Sequence, residues 1–206
     1  MGPCAVEFLA EAVSLPHMDR EEDADETLMV AYRDGDAAAF TALYERHRGP
    51  LYRYILCQCG PAAVAEELFQ DVWMNLIRSR SKYRVEAKFA TYLYRIAHNR
   101  IVDHHRARAT RGRVLASDGN ANGDPPEAVA PAGAQPEREV ATGRRMARLR
   151  ASIRALPDAQ REAFLLREEG GLSVEEIART VGVGAETAKS RLRYAVARIR
   201  RDLEEP

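Results

Sequence analysis

Six of the eight side chains from Glu186 to Arg193 are of types that hydrogen-bond base edges or phosphate oxygens in a DNA groove: Glu186, Thr187, Lys189, Ser190, Arg191 and Arg193. Such a cluster reads DNA only if a helix presents it outward, and the residues before it supply that helix. Ser173 and Glu176 have the spacing of a capping box, so a helix is predicted to start there. Gly182 permits the left-handed backbone of a sharp turn, and a second helix is predicted from about Ala185. Ile177, Val181, Val183, Ala188 and Leu192 fall where a helix-turn-helix packs its two helices together. An amphipathic hairpin with a solvated charged face would share the periodicity. Glycine placement, capping and polarity together favour DNA recognition.

A second cluster interleaves aromatics with base between Ser79 and Arg100: Lys82, Tyr83, Arg84, Lys88, Tyr92, Arg95 and Arg100, with Asn99 among them. Bases of any sequence stack on aromatic rings while cations hold the phosphates, so this composition suits unpaired DNA. Tyr and Phe at helical spacing also build cores, and Phe89 and Leu93 are predicted to be buried.

The elements that must carry these clusters are helical. Asp36 is placed to cap a helix over residues 37–57, kinked near Gly49 and Pro50; Pro61 suits the first turn of another reaching about Arg80. In the second, Val64, Leu68, Val72 and Leu76 recur at spacing four, a buried stripe. A third is predicted over residues 87–107, burying Phe89, Leu93, Ile96 and Ile101. No strand pattern is found, so the fold class is all-α. Residues 1–24 are acidic and poor in large apolar side chains, the composition of a flexible extension. Residues 107–136, with Gly123-Asp124-Pro125-Pro126, have that of a flexible linker. Two small helical domains result, residues 25–106 and 137–206, the second with Val140, Leu149, Ile153 and Leu156 turned inward.

The 206 residues contain 31 Lys and Arg against 31 Asp and Glu, a net charge of zero that at first argues against binding a polyanion. The distribution answers this, since acid gathers before residue 27 while base gathers around residues 95–113 and 189–201. No apolar run is long enough to span a bilayer, the start lacks the pattern of an export signal, and three cysteines (Cys4, Cys57, Cys59) make no disulfide framework. The expected location is the cytoplasm.

An enzyme reading would rest on His98, Asp103, His104 and His105 or on Cys57 and Cys59. On a helix the histidines point apart and do not converge on one ion, and the cysteines face different directions. No phosphate-cradling loop or nucleophile elbow is present. No catalytic residue, metal or cofactor is expected.

Residues 65–73 (Ala-Glu-Glu-Leu-Phe-Gln-Asp-Val-Trp), Phe89 to Asn99, and Asp103-His104-His105-Arg106 resemble the domain 2 signature of extracytoplasmic function (ECF) sigma factors of the sigma-70 family. Residues 156–164 and the helix-turn-helix ending Lys189-Ser190-Arg191-Leu192 resemble their domain 4. The resemblance covers about residues 25–106 and 140–203, in the family's order. Tyr92 stands where the family usually has Trp, Trp73 where it usually has Phe, and Glu186 and Ala188 where it usually has Gly and Val.

The resemblance implies a factor that binds core RNA polymerase at the clamp coiled coil and the flap, opens promoter DNA, and catalyses nothing itself. Glu66, Glu67, Gln70 and Asp71 would dock on the clamp. Lys82, Tyr83, Arg84, Lys88, Tyr92, Arg95, Asn99, Arg100, Asp103 and Arg106 would melt and capture the minus-ten element. Glu186, Thr187, Lys189, Ser190, Arg191 and Arg193 would read minus-thirty-five, with the linker threading toward the polymerase channels. An anti-sigma protein is a further partner that the family implies, and no insertion into a membrane is expected. The competing reading is a stand-alone helix-turn-helix regulator whose front domain senses a ligand or dimerises.

Overall fold

A computed structural model describes residues 24–116 and 138–204, and every regular element among them is helical. The front half contains α1 (Asp25–Arg33), α2 (Ala37–Cys59), α3 (Ala62–Ser79), one 3₁₀ turn (Arg80–Lys82) and α4 (Phe89–Ala116); the rear half contains α5 (Arg138–Arg154), α6 (Asp158–Glu168), α7 (Val174–Val181) and α8 (Ala185–Glu204). No helix among the described residues is long and apolar enough to cross a membrane.

The starts of these helices follow from local chemistry. The Asp36 carboxylate accepts from the amides of Ala38 (3.0 Å) and Ala39 (3.3 Å), two donors that the first turn of α2 cannot satisfy internally. That helix continues through Pro50 to Cys59. Along α3 the spacing-four stripe is realised, with Leu68, Val72 and Leu76 buried and Val64 at the edge. They meet Leu43, Leu51 and Ile55 of α2 and Phe89 and Leu93 of α4 in one core, each such side chain stabilising the fold by about 1.5–3 kcal/mol.

Short α1 is held by charge as well as by Leu28 and Met29. Asp25 meets Arg46 Nη1 and His47 Nε2 at 2.8 Å each. Burial opposes ionisation of Asp25, yet His47 and Arg46 outweigh it and hold the carboxyl below its usual range. Glu26 accepts from the Phe89 amide at 2.6 Å, placing a carboxylate at the positive end of α4.

In the rear half the expected capping box is complete. Ser173 Oγ accepts from the Glu176 amide (3.2 Å) and Glu176 accepts from the Ser173 amide (2.7 Å). At Gly182 the backbone has φ 71°, the left-handed conformation that the turn requires. Ser173→Ala is expected to cost the rear half about 0.5–2 kcal/mol in urea unfolding. A loss below a few tenths would mean that the box contributes little to the fold.

Two features differ from the sequence expectation. Helix α4 continues to Ala116, so the linker does not begin at residue 107; residues 107–116 are mostly Arg and Ala, strong helix formers that propagate an existing helix. The two halves are also packed together. Leu166, Leu172 and Ile177 share a core with Tyr54, Phe89 and Tyr94, while Leu156, Ala195 and Ile199 form a smaller core of their own. The expected extension over residues 1–23, the remaining linker, Cys4 and the inward place of Val140 lie outside the described residues or side chains.

Candidate nucleic-acid interface

Helices α3 and α4 pack side by side and leave a groove of about 480 Å³ between them. One wall is Asn75, Arg78, Ser79 and Lys82; the other is Ile96, Asn99, Arg100 and Asp103. Both sets run i, i+3, i+4, i+7; the second is a single face of α4, while the first follows the last turn of α3 and ends on Lys82 in the 3₁₀ turn. Of these, Lys82, Asn99, Arg100 and Asp103 were expected from the sequence, whereas Asn75, Arg78, Ser79 and Ile96 were not. The same spacing applied to α3 would have found the missing wall. Arg95, Asn99, Asp103 and Arg106 extend the polar face along the exposed side of α4.

Arg100 donates through Nη2 to Asp71, so one residue expected to touch DNA neutralises one expected to touch polymerase. Glu66, Glu67 and Gln70 stand exposed on the next turn of α3. The exposed acidic face of α3 and the groove therefore adjoin along one helix, with the Asp71–Arg100 pair at the seam.

The aromatics of this region are placed differently from the expectation of a stacking platform. Tyr83 is 2% exposed and packs edge-on against Tyr92, ring centroids 5.2 Å apart. Burial pushes its hydroxyl up to about 12, so it stays neutral. The 3₁₀ turn directs this ring inward, where burying an aromatic outweighs any surface role. Tyr92 is half-buried and its hydroxyl shares a 2.7 Å hydrogen bond with Ser79 Oγ. Tyr83 and Tyr92 thus support the groove from behind. Lys82 and Arg84 are exposed, while Lys88 lies 3.5 Å from Glu176 of the rear half.

In the rear half, α7 and α8 form the expected helix-turn-helix. Ile177 and Ala188 are buried between them. Glu186, Thr187, Lys189 and Arg193 are exposed and Ser190 and Arg191 half-buried, so all six expected side chains border solvent. Glu186 and Lys189 stand 3.8 Å apart with 88% and 68% of their side chains exposed, a pairing too solvated to fix either. Glu176 is opposed by burial but favoured more strongly by the Ser173 amide and Lys88, which hold its carboxyl below the usual range and keep the cap charged.

The residues of the enzyme reading are dispersed. His98 Nδ1 lies 2.6 Å from Glu162, and His104 and His105 have ring centroids 5.8 Å apart. No group of three His, Cys, Asp or Glu able to hold a metal ion occurs among the described residues. Burial raises both the Cys57 and Cys59 thiols, the latter to about 11, so both are protonated and poorly nucleophilic at neutral pH.

Comparison with known proteins agrees with this architecture. The Sigma-70 region 2 model matches residues 43–111 and the Sigma-70 region 4 model residues 146–199. The ECF RNA polymerase sigma factor SigM of Mycobacterium tuberculosis is 31% identical over 185 residues, covering 88% of this chain and 86% of its own. The corresponding SigK of Mycobacterium bovis is 27% identical over 170 residues, covering 82% and 88%. The solved sigma factor RpoE of Bartonella quintana, in complex with the anti-sigma factor NepR, shares the fold with a TM-score of 0.65 at 23% identity, over 81% of this chain and 97% of that one. Two sigma modules matched in order favour a polymerase subunit over a stand-alone regulator. The chain belongs to the ECF group of the sigma-70 family, the alternative sigma factors that bring core RNA polymerase to promoters and start transcription.

Proposed function

We propose that the α3–α4 groove captures unpaired minus-ten DNA while α8 lies in the major groove of the minus-thirty-five element. The observation that supports this most is the groove itself. It is open, bordered by Arg78, Lys82 and Arg100, and furnished with Asn99 and Asp103. Cations hold the phosphates of a separated strand there, and Asn99 and Asp103 offer hydrogen bonds to the Watson–Crick edge of an extruded base. Glu66, Glu67, Gln70 and Asp71 dock on the polymerase clamp coiled coil, which leaves the groove on the same helix facing the DNA. The rear half contacts the polymerase flap.

On this reading the chain contributes binding energy and geometry, and polymerase performs the chemistry in the cytoplasm. An anti-sigma protein is a fitting partner, since the matched RpoE was solved with one.

Run-off transcription with core polymerase on fragmented genomic DNA tests the function and yields the promoter. Arg191→Ala and Lys189→Ala are each expected to weaken promoter engagement by about 1–3 kcal/mol, with core binding unchanged. Arg191→Ala should relax specificity at one base pair, whereas Lys189→Ala should weaken all promoters alike and reduce the salt dependence. Loss of core binding in either variant would reverse the assignment of the two halves.

A further inference from the structure

The seam between the acidic face of α3 and the groove is bridged by an ion pair whose two members belong to different surfaces. Asp71 stands one turn beyond Glu67 on α3, and its carboxylate accepts from Arg100 Nη2 of α4. Arg100 lines the groove and Asp71 does not, so the bond draws the guanidinium toward the acidic face. The pair is within reach of both partners, with 35% of the Arg100 side chain and 40% of the Asp71 side chain exposed. Water at that exposure weakens the attraction, and an exchange of partners costs little. Arg100 is also incompletely satisfied. Its Nε is buried and meets no acceptor among the described residues, although a guanidinium presents a planar fork of donors that suits carboxylate and phosphate alike.

We propose that Asp71 is a positioning residue through which polymerase docking prepares the groove for DNA. In the free factor Asp71 keeps Arg100 turned toward the docking face. A cation of the clamp that takes the Asp71 carboxylate releases Arg100 to a phosphate of the minus-ten strand. The inference rests on the reading of both surfaces given above. Once deprived of Asp71, a partly desolvated guanidinium would leave its N–H groups unpaired, and phosphate oxygens satisfy them. The same exchange removes a negative charge from the edge of a groove that is to hold a polyanion. Because both equilibria share this pair, clamp docking and strand capture strengthen each other by the same factor, whichever comes first.

Full-length factor, core polymerase and a fluorescein-labelled single strand test the coupling. The strand carries the minus-ten sequence that run-off transcription yields, and core polymerase alone sets the baseline. Core polymerase is expected to tighten the parent factor's hold on the strand. Asp71→Asn is expected to tighten the hold of the free factor by about two- to fivefold, the range for an exposed ion pair, and to reduce the gain from core polymerase by the same factor. With Arg100→Gln already in place, Asp71→Asn is expected to make no difference to the free factor. Melting curves check that each variant is folded, and Arg100→Met replaces Arg100→Gln if the latter is not. Lys82→Gln, which removes a groove cation outside the pair, reports on the DNA reading itself and is expected to weaken strand binding with and without core polymerase. Should Lys82→Gln weaken binding while Asp71→Asn leaves it unchanged, the proposal is overturned and the groove reading stands. An equal gain from Asp71→Asn with and without Arg100→Gln would also overturn it, since Asp71 would then act as a simple repulsive charge. Strand binding indifferent to both Lys82→Gln and Asp71→Asn would remove the groove from the DNA surface, and the proposal with it.

Discussion

Reversing both charges in Glu66→Lys/Glu67→Lys is expected to weaken binding to core polymerase roughly 10- to 100-fold, equivalent to about 1.4–2.8 kcal/mol. The two carboxylates stand exposed on α3, beside the turn that bears Gln70 and Asp71. Placing like charges against a complementary basic surface costs several kcal/mol when they are desolvated and less at a wetted rim, so exposed residues belong to the lower part of that range. The effect should shrink in high salt. Asp71 is the less informative target because it pairs with Arg100 at the groove, and its reversal would disturb both surfaces. Thermal stability of the double variant should stay within about 0.5 kcal/mol of the parent, as expected for surface positions. Unchanged core affinity at low salt would remove this face from the docking surface.

A larger effect on the fold is expected at Leu93, which is fully buried in α4 where that helix meets α2 and α3. Leu93→Ala removes the apolar contacts and leaves a cavity that rigid neighbours fill only in part, for a loss of about 2–5 kcal/mol in denaturant unfolding. Because α4 is one wall of the groove, promoter opening should fall at temperatures where the variant is still mostly folded. A cost below about 1 kcal/mol would show that α4 does not pack as described.

How far the molecule was legible in advance depended on the range of the forces involved. The helix-turn-helix is written within some twenty residues, since Ser173, Glu176, Gly182 and Ala188 each act on near neighbours, and all four are placed as their spacing predicts. The stripe of α3 was equally plain. Tyr83 was misjudged as a stacking residue because an aromatic among cations has the same local pattern whether its ring turns inward or outward, and only the 3₁₀ turn decides. Asp25 and Glu26 belonged by composition to an acidic front end, yet their carboxylates reach Arg46, His47 and the Phe89 amide, up to 63 residues away. The contact between the halves was the least visible. Its pairs are separated by 64 to 116 residues, and no periodicity in one helix names the partner of Glu162 or Glu169 in another.

Ala188, 1% exposed, sits in the middle of the six side chains proposed to meet DNA yet belongs to the core that joins α7 to α8. Supporting and reading duties are thus assigned to different positions on the same turn of helix. On the proposed reading, exchanges at the exposed Glu186 or Thr187 alter which promoters are chosen at almost no thermodynamic penalty to the module. A lineage that duplicates such a gene has a ready means of acquiring new targets while the rest of the protein stays as it is.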